Sequence, residues 1–486
     1  MFRCTLWLVA HGKKGWYLMA EINWEDKWRL GLHLMPPSGW LNDPNGLCQF
    51  QGMYHVFFQY TPDDPNGGMK YWGHYMSPDL LNWEYAGIAL SPEETFESGG
   101  VYSGSALIED GKMNLFYTGN VKLKGDYNYI TDGRQGNTVL VSSEDGRTFG
   151  KKECLMTNAD YPSDLTCHVR DPKVVTGKSI GKDDENFYMF LGARTKNNVG
   201  EVLVYKSASL RDWEHTNTLK SEAPFGYMWE CPDAFTAGQR KFLSVSPQGV
   251  EQSGNNYQNI YQSGYYELTG EFDQSYELKN FREWDRGFDF YAPQTFCDES
   301  GRRILIGWIG MPDDPSQSNP TVEQGWQNAL TIPREITEKE GKLLQYPVKE
   351  IENLRREERT LKSAEVSEEM QMYDMEIGVL SEDIRLTVSD AIDLIYSREK
   401  EQFMVSFQED KNMGYGRSTR AVNLKECRNI RILADTSCLE IYLNDGEEVF
   451  TTRFYPESGT SSVRLSDGNA VIKYWQMEKM KIADGC

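Results

Sequence analysis

Three short motifs set an acid beside a proline: "NDP" with Asp43, "RDP" with Asp171 and "ECPD" with Glu230. Carboxyl groups in concert can divide one reaction between an ionised group, which attacks or stabilises positive charge, and a protonated group, which donates. Taken singly, each motif is ordinary. In "GWLNDPNG" (residues 39–46) proline fixes φ and Asn-Gly tolerates positive φ, so Asp43 reads first as part of a turn.

Recurrence changes that reading. Five segments share one plan, a short polar motif, an apolar strand, a polar turn and a second strand rich in aromatic or branched residues. They begin at Asn42, Ser103, Arg170, Glu230 and Ala292. With Pro44, Ser105, Pro172, Pro232 and Pro293 as anchors, the steps are 61, 67, 60 and 61 residues. A second marker stays in phase: "SPDLLNW" ends at Trp83, "SEDGRTF" at Phe149 and "SASLRDW" at Trp213, steps of 66 and 64. A unit of about 60 residues holds roughly four short strands, and five such units over residues 33–349 predict a five-bladed β-propeller. Trp83 and Trp213 are expected to be structural.

In register, Asp43, Asp171 and Cys231 stand one residue before the anchor, and Asn42, Arg170 and Glu230 stand two before it. The innermost strands of a propeller converge on one axis, so these positions meet in a central funnel. Gathered acids raise one another's pKa, an arrangement that stability alone disfavours. A cluster of carboxyls suits glycoside hydrolysis: one acts on the anomeric carbon while ionised, another protonates the leaving oxygen, and a third can bond sugar hydroxyls.

The rest of the chain narrows the partners. A formal net charge of −22 without a long basic run argues against nucleic acid and anionic membranes. The 13 Trp and 27 Tyr offer faces for sugars. Nine Cys form no C-x-x-C pair and six His no H-E-x-x-H, so no disulfide framework, metal or cofactor is expected. The scattered thiols fit a reducing compartment, here the cytoplasm. Residues 1–18 read as a start-site extension within a lead-in over residues 1–32. Residues 350–371 are charged and helix-compatible and read as a connector. Residues 372–486 alternate as strands, with an Asn-Asp-Gly hairpin at 444–446, and predict a β-sandwich.

Seven motifs now carry a resemblance: "HLMPPSGWLNDPNG", "FFQY", "WGHYMSPDLLNW", "YSGSA", "VRDPKV", "WECPD" and "FYAPQTF…GRRILIGW". In this order they resemble glycoside hydrolase family 32, the β-fructofuranosidases, and "DTSCLEIYLNDGEEVFTTRFYP" is similar to that family's C-terminal sandwich. The resemblance implies an all-β fold, a five-bladed β-propeller followed by a β-sandwich. It implies Asp43 as nucleophile of a covalent fructosyl-enzyme, Glu230 as general acid/base and Asp171 as transition-state stabiliser. Asn42, Gln59, Trp72, Tyr102, Ser103 and Arg170 match the fructose-pocket positions, and Trp40 and Trp72 are expected as apolar walls. The "NDPNG" turn is expected to offer backbone N–H groups to Asp43.

Substrates within reach are sucrose, sucrose 6-phosphate and short fructo-oligosaccharides, with fructosyl transfer as an alternative outcome of the same intermediate. A non-catalytic sugar-binding propeller requires loss of a carboxylate, and all three are present. A phosphorylated substrate calls for local cations; Lys122, Lys124, Arg134, Arg194 and Lys196 are the candidates. Cys231 is expected to pack behind Glu230, and Trp308 to be a core aromatic.

Overall fold

The computed structural model describes residues 9–12, 15–18, 26–362 and 364–484. Within the expected extension, Val9–Gly12 and Gly15–Leu18 pair antiparallel; the remainder of that expectation lies outside the described residues. From residue 26 onward the described chain is strands, loops and short 3-10 turns, without an α-helix. Among the described residues no helix is long and apolar enough to cross a membrane.

Up to Pro347 the chain forms a propeller-like arrangement of sheets. Their innermost strands are β1 (Gly39–Phe50), β2 (Val101–Glu109), β3 (Leu165–Thr176), β4 (Met228–Ala237) and β5 (Tyr291–Cys297). β2, β3 and β4 each lead a four-stranded antiparallel sheet; the sheets led by β1 and β5 have six and five strands. The innermost strands touch in the cyclic order β1, β2, β3, β4, β5, β1. Apolar clusters lie between successive sheets, such as Phe57, Trp72, Val101, Leu115 and Val139 between the first two, and Val175, Phe190, Trp229 and Leu243 between the third and fourth. Each fully buried side chain of this kind contributes about 1.5–3 kcal/mol.

The anchors of the repeat mark β-bulges. Pairing register slips between Leu41 and Pro44, Tyr102 and Gly104, Arg170 and Lys173, Glu230 and Asp233, and Tyr291 and Gln294. Proline has no N–H for the ladder and is tolerated in a sheet where the ladder is already broken. The residue before it turns left-handed in three strands, with φ of 63° at Asp171, 46° at Cys231 and 48° at Ala292. Such strain persists where surrounding structure imposes it, and bulges re-aim side chains next to sites. The stretch around Asp43 is therefore not a turn, as its composition suggested, but the middle of a twelve-residue strand with two bulges.

The second marker builds the turns between the outer strands. Leu80 and Leu210 take φ of 63° and 62°, and the indoles of Trp83 and Trp213 donate to their carbonyls at 3.0 and 3.1 Å. Both tryptophans are structural, as expected.

C-terminal to this lies a nine-stranded, sandwich-like sheet. The charged stretch read as helix-compatible is corrected here. After a 3-10 turn at Lys349–Leu354 it becomes β6 (Arg355–Leu361), paired along β8 (Val463–Met477), and its run of charged residues suits a strand at a sheet edge. The long β7 (Tyr373–Val388) pairs with β8 over its length and changes its other partner midway, which folds the sheet around Tyr373, Leu386, Leu394, Ile432 and Phe450. The Asn-Asp-Gly hairpin forms as expected, with φ of 50°, 61° and 90° at Asn444, Asp445 and Gly446. The chain then returns: β9 (Lys481–Asp484) lies parallel on the outer strand of the first sheet.

A buried polar cluster joins the two parts. The fully buried Arg334 bonds Asp285 at 3.1 Å and Glu440 at 2.7 Å, and His33 bridges Asp435 and Glu440 at 2.8 and 3.0 Å.

Candidate active site

The bulges of β1, β3 and β4 aim Asp43, Asp171 and Glu230 at one place. The Asp43 carboxylate accepts from Ser103 Oγ at 2.5 Å and from Asn42 Nδ2 at 3.1 Å. Gln59 locks both donors: it accepts from Asn42 at 3.2 Å and donates to Ser103 at 2.6 Å. Trp40 donates its indole N–H to Asn42 at 2.8 Å. The main donors to Asp43 are thus side chains on β1 and β2, and of the backbone N–H groups expected from "NDPNG" that of Asp43 itself adds a smaller pull. Burial pushes the Asp43 carboxyl above its ordinary value; Ser103 and Asn42 pull it back, and the charge of Glu230 adds to the push.

Glu230 is held from both sides. Arg170 donates twice to Oε1, at 3.0 Å from Nε and 2.5 Å from Nη2, while Tyr291 and Gln248 donate to Oε2 at 2.6 and 2.8 Å. Arg170 is steadied in turn by His168, whose Nδ1 lies 2.6 Å from Nη1. Burial and the neighbouring guanidinium groups of Arg170, Arg134 and Arg194 push His168 down to about 2, so it is neutral and Nδ1 accepts. Burial works against the charge on Arg170, yet Glu230 and Asp171 outweigh it and hold its pKa above the usual value.

Asp171 accepts from the backbone N–H of Cys231 at 3.0 Å, and its own N–H donates to Thr118 Oγ1 at 2.8 Å. Burial raises its pKa, Arg170 opposes, and Glu230 and Asp43 raise it further. The Cys231 thiol lies 3.8 Å from Asp43 Oδ2 and 3.7 Å from Asp171 Oδ2, so one neutral weak donor touches both acids. Cys231 is buried, as expected, but its thiol packs against the two aspartates rather than behind Glu230, and its left-handed backbone delivers an N–H to Asp171.

Asn42, Gln59, Ser103, Arg170, Trp40 and the three acids thus come together as the motifs foretold. Tyr102 lies half-buried beside them, with the Arg134 guanidinium 5.5 Å from its ring centre. Trp72 is corrected. It is completely buried against Phe57 and Tyr117, and its indole N–H donates to the Tyr102 carbonyl at 3.1 Å. It braces the strand that carries Ser103 rather than walling the pocket. Trp308, only 3% exposed, is the core aromatic expected, edge-on to Trp40 with ring centres 5.9 Å apart.

Sequence reasoning missed Tyr291, Gln248, His168, Thr118 and Lys70. Tyr291 had a signal, since it stands two residues before its anchor, the position of Asn42, Arg170 and Glu230. His168 precedes Arg170 by two residues on one strand, which puts both on one face. Gln248 comes from the strand beside β4 and belongs to no motif. Lys70 reaches over the Trp40 ring at 5.1 Å; burial pushes it down to about 8 against the pull of Asp43.

Several carboxyls, two of them kept prone to hold a proton, beside a fixed guanidinium and a dense set of donors, equip a site for acid/base and nucleophilic work on a polyhydroxylated substrate. Comparison with known proteins agrees. Residues 33–347 match the glycosyl hydrolases family 32 N-terminal domain and residues 345–482 its C-terminal counterpart. A sucrose-6-phosphate hydrolase of Bacillus subtilis is 37% identical over 457 residues, 91% of this chain and 92% of that one. A raffinose invertase of Escherichia coli is 35% identical, covering 92% and 94%. Among solved structures, the sucrose-6-phosphate hydrolase of Lactobacillus gasseri superposes with a TM-score of 0.84 at 28% identity over 94% of both chains. A Bombyx mori family 32 β-fructofuranosidase superposes at 0.82 and 30% identity, over 94% and 95%. The chain belongs to glycoside hydrolase family 32; it is a glycosidase.

Proposed function

We propose that the protein hydrolyses the terminal β-D-fructofuranosyl unit of sucrose or sucrose 6-phosphate with retention of configuration. The observation that carries this reading is the meeting of Asp43, Asp171 and Glu230 on the bulges of three innermost strands, with the Cys231 thiol against both aspartates and Arg170 clamped on Glu230. Relatives named for sucrose 6-phosphate and raffinose support the substrate class.

In this mechanism Asp43 Oδ attacks C2 of the fructosyl unit as Glu230 gives its proton to the glycosidic oxygen, and glucose or glucose 6-phosphate leaves. Glu230, now ionised, takes a proton from water, whose oxygen attacks C2 and releases Asp43. A retaining pair stands about 5–5.5 Å apart. Ser103 and Asn42 stabilise the Asp43 charge before attack and aim it. Asp171, held by the Cys231 N–H, faces the sugar hydroxyls and the positive charge that develops on the ring. Arg170, Tyr291 and Gln248 orient the Glu230 carboxyl.

The cyclic contact of β1 to β5 supports counting their five sheets as blades, the six- and five-stranded ones being blades extended by strands from elsewhere in the chain. We read residues 33–349 as the catalytic domain and 372–486 as a sandwich, with β6 of the connector joined to it and β9 returned to the first blade. Thiols without disulfide partners at Cys48, Cys231, Cys427 and Cys438 support action in the cytoplasm.

Two variants and one product test this. Asp43→Asn is expected to lose roughly 10⁴-fold or more in kcat with an unchanged fold. Glu230→Gln should lose far less on a β-fructoside with a good leaving group, which needs little acid assistance. Cleavage of sucrose in aqueous methanol should give methyl β-fructofuranoside by NMR. The α-anomer, or near-normal turnover by folded Asp43→Asn, refutes the assignment.

A further inference from the structure

Resting on that reading, we propose that Arg134, with Lys122 and Arg194 beside it, forms a binding site for the phosphate monoester of a phosphorylated disaccharide, on the leaving-group side of the pocket. Three segments build it. Lys122 and Arg134 are direct partners across the ladder of the second sheet, at the two ends of the loop 123–133. The loop is tied to the start of β3 by the Cys167 N–H, which donates to the Ile130 carbonyl at 2.9 Å. Arg194 lies on the strand after β3, and its carbonyl accepts from Thr166 Oγ1 at 2.9 Å. His168 sits where these segments meet, one hydrogen bond from Arg170.

The cations are held but not neutralised. Arg134 Nε donates to Asn120 Oδ1 at 2.9 Å and its plane lies over Tyr102, which leaves its terminal nitrogens without a carboxylate. Lys122 stands over the Tyr129 ring at 5.8 Å and Arg194 over Tyr227 at 4.5 Å. Among the described residues none of the three forms an ion pair, whereas the buried Arg170, Arg334, Arg417 and Arg431 each bind a carboxylate. In a chain of net charge −22, the half-buried Arg134 and Arg194, with the exposed Lys122 beside them and no counter-ion on any of the three, call for an anion. Burial and Arg170 push the Arg134 pKa below the usual value, against the pull of Tyr102, Glu230 and Asp171, so it lies within electrostatic reach of the acids.

Position then selects the ligand. Tyr102 adjoins Ser103, which bonds Asp43, so Arg134, stacked on Tyr102, stands at the aromatic edge of the pocket. A phosphomonoester carries about −1.5 to −2 charges at pH 7 and matches the planar guanidinium fork. Elsewhere a cavity of about 350 Å³ beside Trp40 is lined by Asp289, Asp313 and Asp314, with Arg417 bound to Asp289, and disfavours an anion. Of the remaining basic residues singled out in the sequence, Lys196 is exposed and bonds the Ser163 carbonyl, and Lys124 is exposed.

The test compares kcat/KM on sucrose 6-phosphate and sucrose for the full chain, Arg134→Gln and Arg134→Lys. The unmodified protein should prefer the phosphate ester by a hundredfold or more, about 2.7 kcal/mol. Arg134→Gln should cut that ratio at least thirtyfold, chiefly through KM, and Arg134→Lys should restore part of it. Glucose 6-phosphate should inhibit sucrose hydrolysis by the unmodified protein far better than glucose or inorganic phosphate, a comparison independent of any variant's folding. Turnover of both sugars with a ratio near one, a ratio unmoved by Arg134→Gln, or equal inhibition by inorganic phosphate overturns the phosphate site alone. Absence of turnover on either sugar overturns the fructosidase reading and this proposal with it.

Discussion

Ser103→Ala isolates what holds Asp43 ready. Ser103 Oγ donates to Asp43 Oδ2 at 2.5 Å and is itself fixed by Gln59 at 2.6 Å, so the substitution deletes one oriented donor and leaves the carbon skeleton in place. A hydrogen bond to a charged group is worth about 1.5–3 kcal/mol. Burial already pushes the Asp43 carboxyl up, and Ser103 is the largest influence pulling it down. Without that donor the ionised form loses roughly 10- to 150-fold in population relative to the protonated form. In the proposed mechanism only the ionised form attacks, so the acid limb of kcat/KM against pH should move to higher pH. The loss should be greatest on the acid side and shrink as pH rises. The assay is initial-rate kinetics on sucrose from pH 4 to pH 9, with thermal unfolding to show that the fold survives. A loss of equal size at every pH, with the acid limb unmoved, would show that Ser103 serves substrate contact alone and that the electrostatic argument is wrong.

Two further expectations concern the junction of propeller and sandwich. Arg334→Met leaves Asp285 buried without its cation and Glu440 with His33 alone; removing one partner of a buried pair costs about 3–5 kcal/mol, so the urea midpoint should fall markedly, and an unchanged midpoint would mean the acids find other partners. At His33 burial alone lowers the pKa, but Cys438, Asp435 and Glu440 outweigh it and hold it well above the usual value. Its stabilising contribution is therefore complete below about pH 6.5, the unfolded value, and is lost as pH rises toward the folded one. The melting temperature should decline above about pH 6.5 more steeply than in His33→Gln; parallel curves would exclude a charged His33. Glu440, held down to about 2 against its burial by Arg334 and His33, has the opposite sign: its contribution is present above about pH 4.3 and fades below it.

Much of the site could be read from the chain because the device that aims it leaves a local mark. A bulge that breaks the ladder accepts proline, and a strand that must turn its side chains inward repeats that mark in blade after blade. Asn42, Asp43, Arg170, Asp171 and Glu230 were therefore legible from spacing, and Ser103 from the resemblance alone. Tyr291 occupied the same register and was overlooked because its unit carries no acid. The turn residues of "NDPNG" misled in detail: positive φ and a missing N–H serve a bulge as well as a turn, and only the pairing partner distinguishes them. Trp72 matched a pocket motif, yet its position against Phe57 and Tyr117 puts it behind the strand that it was expected to face.

What the sequence by itself determined is the alternation of strands, the period of their bulges and the residue types placed there, since these depend on backbone sterics and hydrophobic pattern within a few residues. Pairings between distant segments, by contrast, were left to the tertiary structure. β9 closes the outer edge of the first sheet about 400 residues after the strand that it joins. β6 is a strand only through its pairing with β8, and Gln248 reaches Glu230 only once a neighbouring strand is docked. The electrostatics belong to the same class. Whether Asp43 holds a proton, whether His168 is neutral and whether Arg134 lacks a counter-ion depend on burial and on charges brought from other blades, and neither exists until the chain has closed on itself.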